Sequence, residues 1–243
     1  MENWICGVHA VYEALASGTQ PIERIHVARE VHSPKLKQTL ELARKRGISI
    51  RMEDRTVVDR LARGAVHQGI LAIVAEFTYA PLEKVLAGER PFVVALDGVE
   101  DTHNLGAVVR TAEACGVSGV IVPERHSAPL NAVVAKAAAG ALAYVPVVRV
   151  TNLVNALEKA KGRGLWIVGV DASAEQLWTQ FDYTVPVVLV LGGEHRGLRR
   201  LVREHCDAIV RLPMLGKIAS LNVSVAAGIV LYEVVRQRHR SGP

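Results

Sequence analysis

The chain has 243 residues, 50% of them hydrophobic and 22% charged, with a formal net charge of +5. That is globular composition for one large domain, or a medium domain with a small one, and no apolar run reaches the length of a membrane span. The mild basicity permits a polyanionic partner but is equally that of an ordinary soluble protein.

At the start, MENWICGVHAVYEAL carries acids and lacks a basic flank and a cleavage site, so it does not read as a secretory signal. From Arg24 short apolar runs alternate with helical patterns. RIHVA predicts a strand, PKLKQTLELARKRG a helix ended by Gly47, and ISIRME a second strand. TVVDRLARG predicts a short helix opened by Thr56 and closed by Gly64. GILAIVAEF predicts a third strand after the turn His67, Gln68 and Gly69. Residues 5 to about 75 thus form a small α/β module. Pro81, Gly88 and Pro91, around a short LEKVL turn, then mark a linker. The expected division is 1–76, a linker at 77–91, and 92–243.

A longer alternation begins at Phe92. PFVVALDG predicts a strand, and Asn104 to Cys115 a helix ending at Gly116. SGVIVP, LWIVGVD, PVVLVLGG and AIVRLPM are continuous apolar runs, the pattern of strands buried on both faces of a parallel sheet. LNAVVAKAAAGAL and LVNALEKAKGRG supply helices between them. The second domain therefore reads as a doubly wound α/β layer. Cys6, Cys115 and Cys206 lie far apart without metal-ligand spacing, as reduced thiols of a cytoplasmic protein do.

Neither a G-x-G-x-x-G after the strand at Phe92 nor a phosphate-binding G-x-x-x-x-G-K-[ST] occurs. Gly193 to Gly197 comes nearest, but Leu198 stands where Lys is needed. Three loops nevertheless fall at the carboxyl ends of predicted strands, where open α/β sheets bind ligands. They are DGVEDTHNLGAVVRTAEACG, LGGEHRGL and LPMLGKIASLN. Each polar residue in them also has a plain structural reading. Asn104 could cap the following helix. Arg110, among Val108, Val109 and Ala112, is expected on an inward or interfacial face, meeting Glu113, a subunit contact or a phosphate. Glu194 could be a solvated turn acid. Ser220, Asn222 and Ser224 could cap the last helix, although one cap needs only one of them. His9, His67, His103 and His195 show no metal-ligand spacing, and no metal is expected. Basic residues gather at Lys35, Lys37, Arg44, Lys45 and Arg46, and again at Arg196, Arg199, Arg200 and Arg203.

Taken together, NLGAVVRTA, LGGEHRGL and LPMLGKIASLNVSVA resemble the three motifs of the SpoU (TrmH) class of RNA ribose 2′-O-methyltransferases, of the SPOUT superfamily. The resemblance covers Pro91 to Arg238 in the family's order. GVHAVYEAL and VHQGILA resemble the class's small substrate-binding domain, similar to ribosomal protein L30e. Within the class, RLVREHCD, LPMLGKIASLNVSVA and EVVRQR resemble most the bacterial 23S rRNA guanosine-2′-O-methyltransferases. That resemblance implies a trefoil-knotted parallel-sheet domain behind an L30e-like α/β domain. It also implies S-adenosylmethionine as cofactor, a guanosine in the peptidyl-transferase P-loop of 23S rRNA as target, and a homodimer through the C-terminal knot region. Arg110, Asn104, Glu194, Ser220 and Asn222 become the implied catalytic residues, and Leu191, Gly192, Gly193, Leu212, Met214 and Leu221 the implied cofactor-binding ones. A tRNA or another rRNA site as target, or an inactive RNA-binding homologue, stays open. Motif two departs from the pattern at His195 and Arg196.

Overall fold

The continuous apolar runs become strands covered on both faces. The structure, a computed structural model, describes residues 3–18, 21–31, 33–74, 77–193, 197–218 and 220–240. In chain order the first elements are β1 (Asn3–Cys6), α1 (Val8–Ser17), β2 (Ile22–Ala28), α2 (Pro34–Lys45), β3 (Ser49–Glu53), α3 (Arg55–Ala62) and β4 (Ile70–Val74). There follow α4 (Leu82–Val85), β5 (Phe92–Asp97), α5 (Thr102–Ala114), β6 (Gly119–Pro123), α6 (Ala132–Ala137), β7 (Val147–Val150), α7 (Leu153–Lys161) and β8 (Trp166–Val170). The last are β9 (Gln176–Leu177), β10 (Val187–Gly192), α8 (Arg200–Glu204), β11 (Ala208–Arg211) and α9 (Val223–Arg240).

Contacts group the chain into two units, Met1–Thr78 with Pro129–Tyr144, and Tyr79–Ala128 with Val145–Pro243. The first unit carries a four-stranded sheet in the order β1-β4-β2-β3, antiparallel except for β2 and β3. Central strand β4 shows why its run is unbroken. Ile70, Ala72 and Val74 enter a core with α1 and α2, while Leu71 and Ile73 enter another with Val58 and Ala62 of α3. Gln68, at φ +52°, accepts the Val8 backbone N–H on its side-chain oxygen at 3.0 Å and so closes the start of α1. Buried His67 accepts from Gly69 N on Nδ1 at 3.1 Å, which leaves Nε2 to donate to Asp59 at 2.6 Å. The turn before β4 is thereby fixed.

The run LNAVVAKAAAGAL, expected as one helix between strands of the second layer, is shorter and packs elsewhere. It forms α6 and a 3₁₀ turn at Ala141–Ala143 and groups with the first unit. The reason is apolar burial: Ala135 belongs to that unit's core, Leu142 packs against it, and the Tyr144 hydroxyl donates to Glu13. Conversely Leu82, Val85 and Leu86, within the stretch that resembled a linker, are buried in the core of the second unit.

The second unit is a seven-stranded sheet in the order β7-β6-β5-β10-β8-β11-β9, parallel throughout. Val93, Ala95, Ile167, Val188 and Val190 face α4, α7 and α8 on one side. Their alternates Val94, Leu96, Val168 and Leu189 are buried as well, with α5 and α9 packed on each other, on β6 and on β10. The C-terminal helix is held at its far end by Arg238. Its Nε donates to the Tyr183 carbonyl at 3.0 Å, Nη1 to that of Arg90 at 3.1 Å and Nη2 to that of Val185 at 2.8 Å. Burial pushes this guanidinium's pKa down, yet its planar fork of donors serves all three carbonyls. Gln237 adds bonds to the Tyr183 N–H and the Phe181 carbonyl. No helix among the described residues is long and apolar enough to cross a membrane.

Arg238→Ala should therefore destabilise the second unit by about 2–4 kcal/mol, and its calorimetric midpoint should fall by roughly 5–15 °C. Arg238→Lys should recover little, because an ammonium cannot span three carbonyls. An unchanged midpoint would show that water serves those carbonyls equally well.

Candidate active site

The parallel sheet reverses its strand order between β5 and β10, which lie side by side with Leu191 opposite Leu96 and Gly192 opposite Asp97. Loops leaving the carboxyl ends of such a pair part in opposite directions and open a crevice. Here they also touch. Gly193 N donates to the Asp97 carbonyl at 2.8 Å, and Gly197 N to the Gly193 carbonyl at 3.0 Å. A Cβ on Gly192 would stand 2.1 Å from the Gly197 carbonyl carbon, and one on Gly193 would stand 2.3 Å from the Gly98 oxygen. No side chain fits at either place, so both must be glycine.

Two clefts meet at this contact and share Gly193, Gly197 and Val223. The first, of about 350 Å³, is lined by Leu191, Gly192, Gly193, Leu212, Met214, Ser220 and Leu221. Every residue nominated from the sequence for the cofactor thus lies on one wall or another of a single cleft. Its surface is mainly aliphatic, with backbone polar groups at the glycines, which suits a flat heteroaromatic ligand with a polar tail. Asp171 and Ser173, which the sequence reading did not single out, form its rim. Burial opposes the charge on Asp171. Bonds from Ser173 N at 2.9 Å and Ser173 Oγ at 2.6 Å, with the Arg203 guanidinium 3.1 Å away, outweigh it and hold the carboxyl below its usual range.

The second cleft, of about 630 Å³, is lined by Asp97, Glu100, Asp101, Asn104, His126 and Arg199. Asn104 does not cap α5. Asp101 does, accepting from Asn104 N at 2.8 Å, because it precedes the first helical turn while Asn104 already lies within it. The Asn104 side chain is turned to Asn222, whose Nδ2 donates to Asn104 Oδ1 at 2.9 Å across 118 residues of chain. Asn222 is also the cap of α9: its Oδ1 accepts from Ser224 N at 2.9 Å and from Ser224 Oγ at 2.6 Å. Ser220, which is not needed as a cap, lies on the wall of the first cleft.

Arg110 is elsewhere. It sits six residues beyond Asn104 on α5, on an exposed face rather than an inward one, and lines neither cleft. Val108 and Val109 fill the buried side of the helix, so the guanidinium turns out to solvent. Among the described residues it makes no ion pair, the expected helical one to Glu113 included. Glu194, with His195 and Arg196, lies outside the described residues.

Sequence reasoning passed over Asp97 and saw Arg199 only as one of a basic group; the two are paired in the lining of the second cleft. The signal was available: an acid closing the otherwise wholly apolar run PFVVALD needs a partner if the strand is buried. The thiols are inert by comparison. Burial raises Cys115 to about 11, and burial with the nearby Asp207 charge raises Cys206 to about 11.

Residues 91–232 match the SpoU rRNA Methylase family, and residues 4–80 match the RNA 2′-O ribose methyltransferase substrate binding family. The chain belongs to the SpoU rRNA methylase family. It is 46% identical over 245 residues to the 23S rRNA (guanosine-2′-O-)-methyltransferase RlmB of Pseudomonas aeruginosa, a match covering 98% of each chain. Among solved structures it is similar to the SpoU methyltransferase AviRb of Streptomyces viridochromogenes in complex with the cofactor AdoMet. There the TM-score is 0.84 at 28% identity, over 98% of this chain and 90% of that one. The AdoMet-bound rRNA methyltransferase of Sinorhizobium meliloti gives 0.83 at 28%, over 97% and 87%. This SpoU methylase is an RNA 2′-O-ribose methyltransferase.

The Asp171 rim of the SpoU fold makes a measurable contribution of its own. Asp171→Asn should cost about 1 kcal/mol in urea unfolding at pH 7. A carboxyl with a lowered folded pKa stabilises above its ordinary value of 3.8 and loses that contribution as pH falls through the lower folded value. The gap between wild type and variant should therefore stay constant from pH 7 down to about 4 and close below it. A gap that widened on acidification would contradict the assigned direction.

Proposed function

We propose that the two clefts form one methyl-transfer site, the Leu191–Leu221 cleft for S-adenosylmethionine and the Asn104 cleft for the acceptor ribose. The reaction is S-adenosylmethionine-dependent 2′-O-methylation of rRNA. For the target we favour a guanosine of 23S rRNA, in line with the name of the Pseudomonas aeruginosa relative, and, by the family resemblance, one in the peptidyl-transferase P-loop. The observation that carries the reading is the Asn104–Asn222 bond beside the walls the clefts share. Asn104 lines the second cleft and Asn222, bonded to it, adjoins Leu221 and Val223 of the first, which supports a role for both amides between the two ligands.

When bound, S-adenosylmethionine supplies a methyl group already activated for displacement by oxygen, so alignment is the protein's main task. Leu191, Leu212 and Leu221 would sandwich the adenine, and the glycines at 192 and 193 would admit its polar groups to the backbone. Met214 would complete the same wall, and Ser220, also on it, would face the reacting centre. Asn104 and Asn222 orient the ribose. Arg110, whose guanidinium offers hydrogen-bond donors and no acceptor, would act electrostatically on the developing negative charge of the 2′-oxygen rather than as a base. Glu194 would position Arg110 or Asn104.

Arg110 lies outside its own chain's clefts, which favours delivery from a second copy. On α9, Val225, Ile229 and Tyr232 are 51%, 39% and 56% exposed at helical spacing, and Leu215 and Ile218 extend the apolar surface. Such a patch suits an isologous homodimer through the C-terminal region, with α5 and its Arg110 alongside α9. The strand order, with β10 between β5 and β8 while α9 returns to α5, is the arrangement a trefoil knot would require. The first unit would read RNA, the second, which takes in the stretch expected as a linker, would carry the knotted methyltransferase, and the enzyme would work in the cytoplasm on structured RNA.

Arg110→Ala should abolish transfer of tritiated methyl to 23S rRNA while S-adenosylmethionine affinity, by calorimetry, stays within about twofold. Parallel loss of cofactor binding would make Arg110 a fold residue instead. Mixing Arg110→Ala with Asn104→Ala subunits should restore roughly a quarter of wild-type activity if each site draws on both copies, and nothing if it does not. Mapping ribose methylation in rRNA from a deletion strain should reveal one missing 23S guanosine; loss at a tRNA or other rRNA position would reassign the substrate.

A further inference from the structure

The cleft that holds Asn104 is rich in carboxylates, a poor surface for a polyanion. Most of that charge is occupied. Asp101 caps α5, and Glu100 stands 3.3 Å from the His126 imidazole. Among the described residues lining the cleft, Arg199 is the one permanent cation.

Its setting is particular. The Asp97 side chain is 0% exposed, at the end of β5. Asp97 Oδ2 accepts the Arg199 backbone N–H at 2.8 Å, and Oδ1 accepts Nε at 2.5 Å. Burying a carboxylate costs more than its attraction to a half-exposed partner returns, so stability alone is a weak reason for the pair. Orientation is a better one. The Arg199 side chain remains 46% exposed, and among the described residues Asp97 engages it through Nε alone. Held there, the guanidinium cannot rotate freely, and Arg199 lines the cleft while Asp97 takes neither Nη1 nor Nη2. Two parallel N–H groups on a fixed fork match a phosphate in a way an ammonium does not.

We propose that Arg199 anchors a backbone phosphate of the acceptor RNA, held ready for it by Asp97. The proposal rests on the reading that this cleft takes the acceptor ribose. It adds a phosphate-positioning residue to the reaction and gives the buried aspartate a purpose. The competing view is a latch: the pair would merely hold the loop after β10 against β5, and with it the shared wall of the cofactor cleft.

The two views separate in the full-length protein, assayed with an unmodified 23S rRNA transcript and tritiated S-adenosylmethionine. For Arg199→Ala, KM for RNA should rise about tenfold, and the slope of log Kd against log salt should shrink by about one. Its affinity for S-adenosylmethionine should stay within about twofold, which also certifies the fold. Arg199→Lys keeps the charge without the fork, so it should retain the salt slope with an intermediate KM. Cofactor affinity falling in step with RNA affinity would establish the latch, and an unchanged KM and slope would show that Arg199 touches no phosphate. Asn104→Ala in the same assay isolates the underlying reading. If it turns over normally, the cleft is not the acceptor site and both ideas fail; if it is dead while Arg199→Ala binds RNA normally, only the arginine is overturned.

Discussion

The backbone contact among Gly192, Gly193, Gly98 and Asp97 governs the geometry of everything near the clefts. Two parallel strands in register deliver their following loops to one point, and the missing side chains let those loops close to hydrogen-bonding distance. A cleft opens to each of two neighbouring loops, one toward Leu212 and Leu221, the other toward Asn104 and His126. Were either glycine to carry a Cβ, the loop after β10 would move by an ångström or more, and both clefts would lose a shared wall. The relative placing of the two clefts is therefore a backbone property here, set before any polar side chain is placed.

Much of this was legible in the chain because burial writes a strong pattern. Strands covered on both faces show unbroken apolar runs, and β5, β6, β8, β10 and β11 all lie where such runs predicted them. The residues nominated from the motifs at their ends all line one cleft. The misses have physical causes. The edge strand β7, VVRV, is short and carries an exposed arginine, and β1 is only four residues long. The segment at 129–144 has helical composition but too little apolar surface of its own, and where it buries Ala135 depends on a surface far away in sequence. Asp97 and Arg199 are 102 residues apart; no local pattern couples them. Arg110 is exposed in the single chain, which rules out the inward of its two expected settings and leaves the interfacial one, because its valine neighbours describe the opposite side of the helix.

The last helix shows how one element can answer several demands. Its first half, Val223 to Tyr232, is apolar nearly all round, which for a helix in a monomer would leave part of the surface unexplained. One side is buried against α5 and β10, and Val230, Leu231 and Val234 are fully enclosed. Another leaves Val225, Ile229 and Tyr232 open, the feature from which a second copy is inferred. Its two ends are fixed by unlike means, a side-chain cap at Asn222 and a guanidinium among carbonyls at Arg238. A helix pinned at both ends cannot slide, and its first residue is therefore a dependable platform for chemistry.

Structural and chemical readings of a polar residue are commonly set against each other, and the clefts show why the choice is false. Asn222 spends its oxygen on the helix cap and its amide on Asn104. Asp97 gives one oxygen to a backbone N–H and the other to a guanidinium, while its own carbonyl receives Gly193. Each such residue is immobilised by its structural bonds, and immobilisation is what alignment of a nucleophile with a methyl donor demands. An amide serving only a substrate would have to be ordered at every turnover, at a cost in side-chain entropy each time. A residue already fixed by a cap or a buried carboxylate has met that cost in folding. For this reason the capping and pairing residues at the carboxyl ends of β5 and β10 are where catalytic function should be sought.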